Sequence, residues 1–177
     1  MSVLFGYLPP GLILNVGSGA TTGQTAHPGQ TVVSCDRDAF QRDDPTFFVA
    51  DALALPTRSG AFDAILAKDV IEHVDDVMLA LSELRRSVRP GGVLLATVPR
   101  AIPRAVWDDV THRRGFTGRA IRGALEATSW SVVEQTRMGG LPGAGRLGLE
   151  PHLKTILKVP GLGHWFGTNW LCVARAR

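Results

Sequence analysis

Apolar positions along the chain fall into short blocks that each end on glycine or on an acidic residue. Gly11–Val16 runs into a glycine turn, residues 31–35 are rich in β-branched side chains and stop at Asp36, and residues 46–49 stop near Asp51. These read as three strands. Residues 61–67 and 92–98 add two more. Between them the spacing of Val77, Leu81, Leu84 and Val88 predicts one helical face over 74–88, closed by Pro90-Gly91. Continuous apolar strands joined by crossovers predict a parallel sheet covered on both faces, an α/β architecture.

Beyond Val98 the pattern loosens and predicts a loop through Gly115. A helix is then expected over 117–127 with Ile121 and Leu125 inward, followed by strands at 130–136 and 169–174. Residues 139–167 are rich in glycine and proline, and within them only 153–159 could form a short helix. A loop of that length in a compact domain usually serves function or moves.

Composition narrows this picture. With 177 residues, 45% hydrophobic and 20% charged, the chain suits one core and a single domain, 1–177. Its first part, 11–98, reads as a ligand-binding half and 99–177 as a substrate-side half. No apolar run approaches the roughly 18 to 20 residues of a membrane helix, and the start lacks a basic leader, so a cytoplasmic protein without a membrane span is expected. Cys35 and Cys172 lie in apolar runs and suit small buried hydrophobes better than a disulfide or a metal cluster. No metal site is expected. The net charge of +3 conceals an asymmetry: the first 99 residues carry an excess of four acidic groups and the remainder an excess of seven basic ones. A basic half can steer an anionic ligand or nucleic acid, or form an ordinary solvated surface.

The turn Asn15-Val16-Gly17-Ser18-Gly19-Ala20-Thr21 follows the first strand directly, where missing Cβ atoms let the backbone approach a ligand. Turns at the carboxyl ends of parallel strands form ligand crevices. Asp36 ends the second strand, 17 residues after Gly19, close to where a carboxylate accepts bonds from ribose hydroxyls, although a capping or solvated aspartate fits the same position. Asp51-Ala52 ends the third strand, and Lys68-Asp69-Val70-Ile71-Glu72-His73 follows the fourth. At the start of a helix, Glu72 and His73 read as first-turn charges. A nicotinamide fingerprint would need glycine where Thr22 stands, so a dehydrogenase is disfavoured.

Taken in order, residues 62–65, 70–74, 84–92 and 112–117 resemble the type 11 branch of class I methyltransferases, over about residues 11–138. The resemblance implies a Rossmann-like, doubly wound, mostly parallel seven-stranded sheet and S-adenosylmethionine as cofactor. It places Gly17, Ser18 and Gly19 on the methionine part, Asp36 on the ribose with Arg37 beside it, Asp51, Ala52 and Leu53 at the adenine, and Lys68, Asp69 and Val70 on the sulfonium side. Asn15 stands where the family has an acidic residue and Thr21 where it has a third glycine. Residues 20–30 include Gly23, Pro28 and Gly29, so the first crossover helix is expected to be reduced. The Asn-Pro-Pro-aromatic signature of base amino-group methylation is missing after the fourth strand, which disfavours base methylation.

Methyl transfer from a sulfonium depends chiefly on positioning, and a hydroxyl acceptor adds the need for a base. His112, beside Asp108 and Asp109, is the candidate catalytic residue, although a loop histidine can equally bond the backbone. Arg100, Arg104, Arg113 and Arg114 could hold a phosphate or carboxylate, which implies a small, anionic or carrier-linked substrate and O-methylation. Trp130 and Trp170 are expected in the core, and Trp107 and Trp165 in loops near the pocket. Two further readings stay open, a binding or regulatory module that kept the fold without catalysis, and an RNA-modifying enzyme. Nucleic acid is not the expected partner. With only about ten residues before the first strand, either the 139–167 segment or a second copy in a homodimer would close the pocket.

Overall fold

The computed structural model of the chain describes residues 4, 6–20, 27–39, 43–138 and 167–177. Seven strands form one sheet: β1 (Gly11–Val16), β2 (Gln30–Asp36), β3 (Phe47–Val49), β4 (Phe62–Lys68), β5 (Val88–Pro99), β6 (Trp130–Met138) and β7 (Asn169–Ala176). Their order is β3-β2-β1-β4-β5-β7-β6. The strands from β3 to β5 pair in parallel, while β7 is antiparallel to both β5 and β6. The chain therefore turns from one half of the sheet to the other between β1 and β4, and at such a switch point the strand ends leave a crevice for a ligand.

The central strands read as unbroken apolar runs because both of their faces are covered. One face presents Leu14, Val16, Ile65, Ala67, Leu94 and Ala96 to two helices, α1 (Val77–Ser87) and, beyond a short helix, α3 (Gly118–Ala127). The other presents Ile13, Ala64, Leu66 and Leu95 to Leu4 and Leu8. Asp76 caps α1 by accepting from Leu79 N at 3.0 Å, and Thr117 caps α3 from Ala120 N at 3.1 Å. Satisfying an amide that no turn of the helix can reach fixes both starting points. Val77, Ala80, Leu81 and Leu84 are the buried stripe of α1, and Ile121 and Leu125 that of α3; the helix expected over 74–88 is shorter, because the Asp76 cap starts it and Val88, expected on its face, already begins β5, which runs through Pro90-Gly91.

The loop expected between Val98 and Gly115 contains a five-residue helix, α2 (Pro103–Trp107), which carries Trp107 at its end with two thirds of its surface exposed. Pro103 sits in its first turn, where a missing N–H costs nothing, and five residues are too few to show an apolar period. The reduced first crossover helix, the short helix at 153–159 and Trp165 concern stretches largely or wholly outside the described residues. Cys35 and Cys172 are buried and unpaired, and burial pushes both thiols up to about 12, so neither is a nucleophile. Among the described residues no helix is long and apolar enough to cross a membrane.

Candidate functional site

At the carboxyl end of β1 the backbone turns through Gly17 at φ +66° and Gly19 at φ +59°. Ser18 N donates to Cys35 O at 3.1 Å, and Gly19 N donates to Asp36 Oδ2 at 2.8 Å. The end of β2 thus holds the turn that ends β1. The other carboxylate oxygen of Asp36 accepts from Asp38 N at 3.1 Å. Each carboxylate oxygen has more than one acceptor direction, so Asp36 keeps capacity for a hydroxyl donor. After β3, Asp51 accepts from Leu53 N at 2.8 Å, which shapes the bend that presents Ala52 and Leu53.

These turns open into one cleft of about 770 Å³. Of the cofactor residues suggested by the sequence, Gly17, Asp36, Arg37, Asp51, Ala52, Leu53, Asp69 and Val70 line it, with His112 in the same wall. Four others do not. Asn15 is buried inside β1 and its amide nitrogen has no partner, Ser18 is buried in the turn, Gly19 gives its amide to Asp36, and Lys68 pairs with Asp69 at 2.8 Å. Asn15 stands one residue before the end of β1, so its side chain points to a face of the sheet rather than past the strand end.

Asp69 does more than line the cleft. It sits at φ +53°, its amide meets Thr97 Oγ1 at 3.0 Å, and its Oδ1 accepts from Thr97 Oγ1 at 2.7 Å and Asn169 Nδ2 at 2.9 Å. A non-glycine residue in that region persists only where surrounding bonds determine it. Asp69 therefore ties the end of β4 to β5 and β7. No local pattern marks Thr97 or Asn169, which lie 28 and 100 residues away.

Glu72 and His73 are not the first-turn charges of a helix, because α1 begins at Val77. Glu72 is 0% exposed, and neither of its carboxylate oxygens has a hydrogen-bond partner. Burial pushes its carboxyl up to about 8 from 4.5. Nearby, His112 Nδ1 lies 2.9 Å from Val106 O, and its Nε2 lies 3.8 Å from Glu72 and 3.9 Å from Asp109. The three arginines with described side chains do not converge. Arg100 donates to Gly167 O and lies over the Trp170 ring, Arg114 donates to Val74 O and Asp75 O, and Arg113, which lines the cleft, also binds His73 O and Asp75. The Arg104 side chain lies outside the described residues.

A buried acid with a raised pKa holds a proton that the unfolded chain has lost, so stability declines as pH rises from 4.5 toward 8. Glu72→Gln removes that dependence, and urea unfolding near neutral pH is expected to show a gain of about 2–3 kcal/mol that fades toward acid pH.

Residues 14–96 match the model of a family described as a methyltransferase domain, and they span the glycine turn, Asp36, Asp51–Leu53 and Asp69–Val70. Over residues 14–96 the chain matches a class I methyltransferase domain of the type 11 branch. S-adenosylmethionine is the cofactor of this family. The methyltransferase domain is 35% identical over 91 residues to a demethylmenaquinone methyltransferase of Beutenbergia cavernae, covering 48% of this chain and 38% of that protein. It is 38% identical over 100 residues to a tRNA (carboxymethyluridine(34)-5-O)-methyltransferase of Xenopus tropicalis, covering 51% of this chain and 16% of that one. The matched stretch is thus well under half of either relative's length. In fold it is similar to an S-adenosylmethionine-dependent methyltransferase from Mesorhizobium loti, with a TM-score of 0.67 at 16% identity over 98% of this chain and 95% of the other.

Proposed function

We propose that the methyltransferase domain moves a methyl group from S-adenosylmethionine to a hydroxyl oxygen of a small acceptor, anionic or carrier-linked, in the cytoplasm. The observation that carries this reading is convergence: the glycine turn, Asp36, the Asp51–Leu53 bend and His112 all meet one cleft. In this reading the backbone at Gly17 approaches the methionine part, Asp36 accepts from the ribose, Ala52 and Leu53 lie along the adenine, and Val70 lies toward the sulfonium. The acceptor oxygen attacks the methyl carbon, the carbon–sulfur pair returns to sulfur, and S-adenosylhomocysteine leaves. Holding the two reactants in line supplies most of the acceleration.

His112 is suited to take the hydroxyl proton. A carbonyl oxygen only accepts, so Val106 O fixes the hydrogen on Nδ1 and leaves the Nε2 lone pair free. That nitrogen faces the carboxyl groups of Glu72 and Asp109 at 3.8 and 3.9 Å. For an anionic acceptor the cations at hand are Arg37 and Arg113, both in the cleft wall.

Asp36→Ala removes the proposed ribose acceptor together with the bond that orders the turn. Calorimetric titration with S-adenosylhomocysteine is expected to show affinity lowered about 10- to 100-fold, as for loss of one charged hydrogen bond. Unchanged affinity would take Asp36 out of the site. Wild-type protein that is folded yet binds neither cofactor nor product would favour a module that kept the fold without catalysis. A second substrate reading, RNA, is favoured by the relative that is a tRNA methyltransferase and by the basic second half. It requires RNA affinity that drops steeply with salt.

A further inference from the structure

Glu72, His73 and His112 form a cluster in and just behind the cleft wall that cofactor binding does not use. One ligand atom from each lies within 4.8 Å of the others, and the Glu72–His112 separation is 3.8 Å. Each histidine is held through Nδ1 by a neighbouring segment. His73 Nδ1 lies 3.2 Å from Thr111 O and 3.1 Å from Thr111 Oγ1, and that hydroxyl already gives its own hydrogen to Asp109 at 2.6 Å. Both Thr111 atoms therefore accept from His73. His112 Nδ1 meets Val106 O in the same way. Nδ1 of each ring is thus engaged by Thr111 or Val106, which leaves Nε2 as the open nitrogen, and outer bonds of this kind orient histidine ligands in metal sites.

The third member supplies what two neutral rings lack. Glu72 is fully buried, both oxygens lack hydrogen-bond partners, and a buried carboxylate without a partner is costly unless a cation completes it. Two imidazoles and one carboxylate are the donor set of borderline divalent transition ions, whereas Mg²⁺ prefers oxygen ligands and keeps its waters. Ligands about 2.0–2.2 Å from a common ion stand roughly 3–3.5 Å apart in tetrahedral geometry, so the cluster needs to close by about 1 Å, within reach of side-chain rotation. Asp109 Oδ2, 3.9 Å from His112 Nε2, stands next to the open side.

We propose that Glu72, His73 and His112 bind a divalent transition cation of the Zn²⁺ type at the wall of the cleft. The site does not depend on the methyl-transfer reading. It does bear on that reading, because a cation on Nε2 occupies the lone pair that His112 would use as a base. Chelator-treated, untagged protein titrated with ZnCl₂ and, separately, MgCl₂ in a calorimeter tests it. One equivalent of Zn²⁺ is expected, bound far more tightly than Mg²⁺, with Co²⁺ giving the visible absorption of a nitrogen- and oxygen-ligated ion. Glu72→Gln, His73→Ala and His112→Ala are each expected to weaken Zn²⁺ binding at least about tenfold, since even outer partners of a metal site cost that much. Thermal melts show that each variant is folded, and Glu72→Gln keeps the shape of the side chain. Absence of Zn²⁺ binding, equal binding of Mg²⁺, or Zn²⁺ affinity unchanged in all three folded variants would overturn the proposal. None of these outcomes alters the titration with S-adenosylhomocysteine, so the two readings fail separately.

Discussion

Gly17→Ala is expected to lower affinity for S-adenosylmethionine by about 30-fold or more, because the turn cannot keep its place with a methyl group there. The backbone sits at φ +66°, which costs an alanine roughly 1–2 kcal/mol. The added carbon would lie 2.3 Å from Val70 Cγ2, and a β-branched neighbour has little freedom to rotate away, so overpacking adds about 1–3 kcal/mol. Relief comes only if the turn shifts, and that breaks the bonds of Ser18 N to Cys35 O and Gly19 N to Asp36. Calorimetry reads the affinity and a thermal melt reads the fold. Gly91→Ala is the control: φ is +73° but no atom lies within 4 Å of the added carbon, so it should lose some stability and no cofactor affinity. Equal affinity in wild type and Gly17→Ala would mean that this turn does not touch the ligand.

Trp130→Ala is expected to cost about 3–5 kcal/mol of stability in urea, the usual loss for a large aromatic side chain removed from a close-packed core. Trp130 is 0% exposed and gives its indole hydrogen to Leu81 O at 3.1 Å, linking the start of β6 to α1. Trp130→Phe retains most of the packing and leaves that carbonyl with only its helical partner, so its loss should be nearer to about 1 kcal/mol. Similar losses for the two variants would show that the hydrogen bond, not the packing, holds the element. Trp170 is different. Its ring is partly buried under Arg100 and Arg137, and its nitrogen donates to Phe116 O.

What the sequence made legible follows from local physics. β1 could be bounded at Gly11–Val16 because a strand buried on both faces is a continuous apolar run, and the glycine turn marks its end. α1 and α3 show their stripes because each packs one side on the sheet. The antiparallel place of β7 between β5 and β6 is not local, and no pattern within 169–176 announces it.

The site divides along the same line. Positions at strand ends, such as Asp36 and Asp51, could be placed by order alone. Glu72 could not, because its burial comes from the segment around His112, forty residues on, whose Arg113 amide binds Glu72 O at 3.0 Å. An acidic residue five places before the first position of a helical spacing looks like a first-turn charge until that segment folds over it. The arginines misled for a similar reason. Four cations near one loop suggest an anion site, yet the backbone carbonyls of residues 73–75 and 167 and the Asp75 carboxylate hold Arg100, Arg113 and Arg114 at separate places.

The most direct measurement is a crystal structure of the chain with S-adenosylhomocysteine bound. Ribose hydroxyls are expected on Asp36, adenine against Ala52 and Leu53, and the homocysteine chain over the Gly17 backbone, with its sulfur toward Val70. Ligand density elsewhere, or Asp36 and Asp51 both turned away from a ligand in this cleft, would contradict this placement.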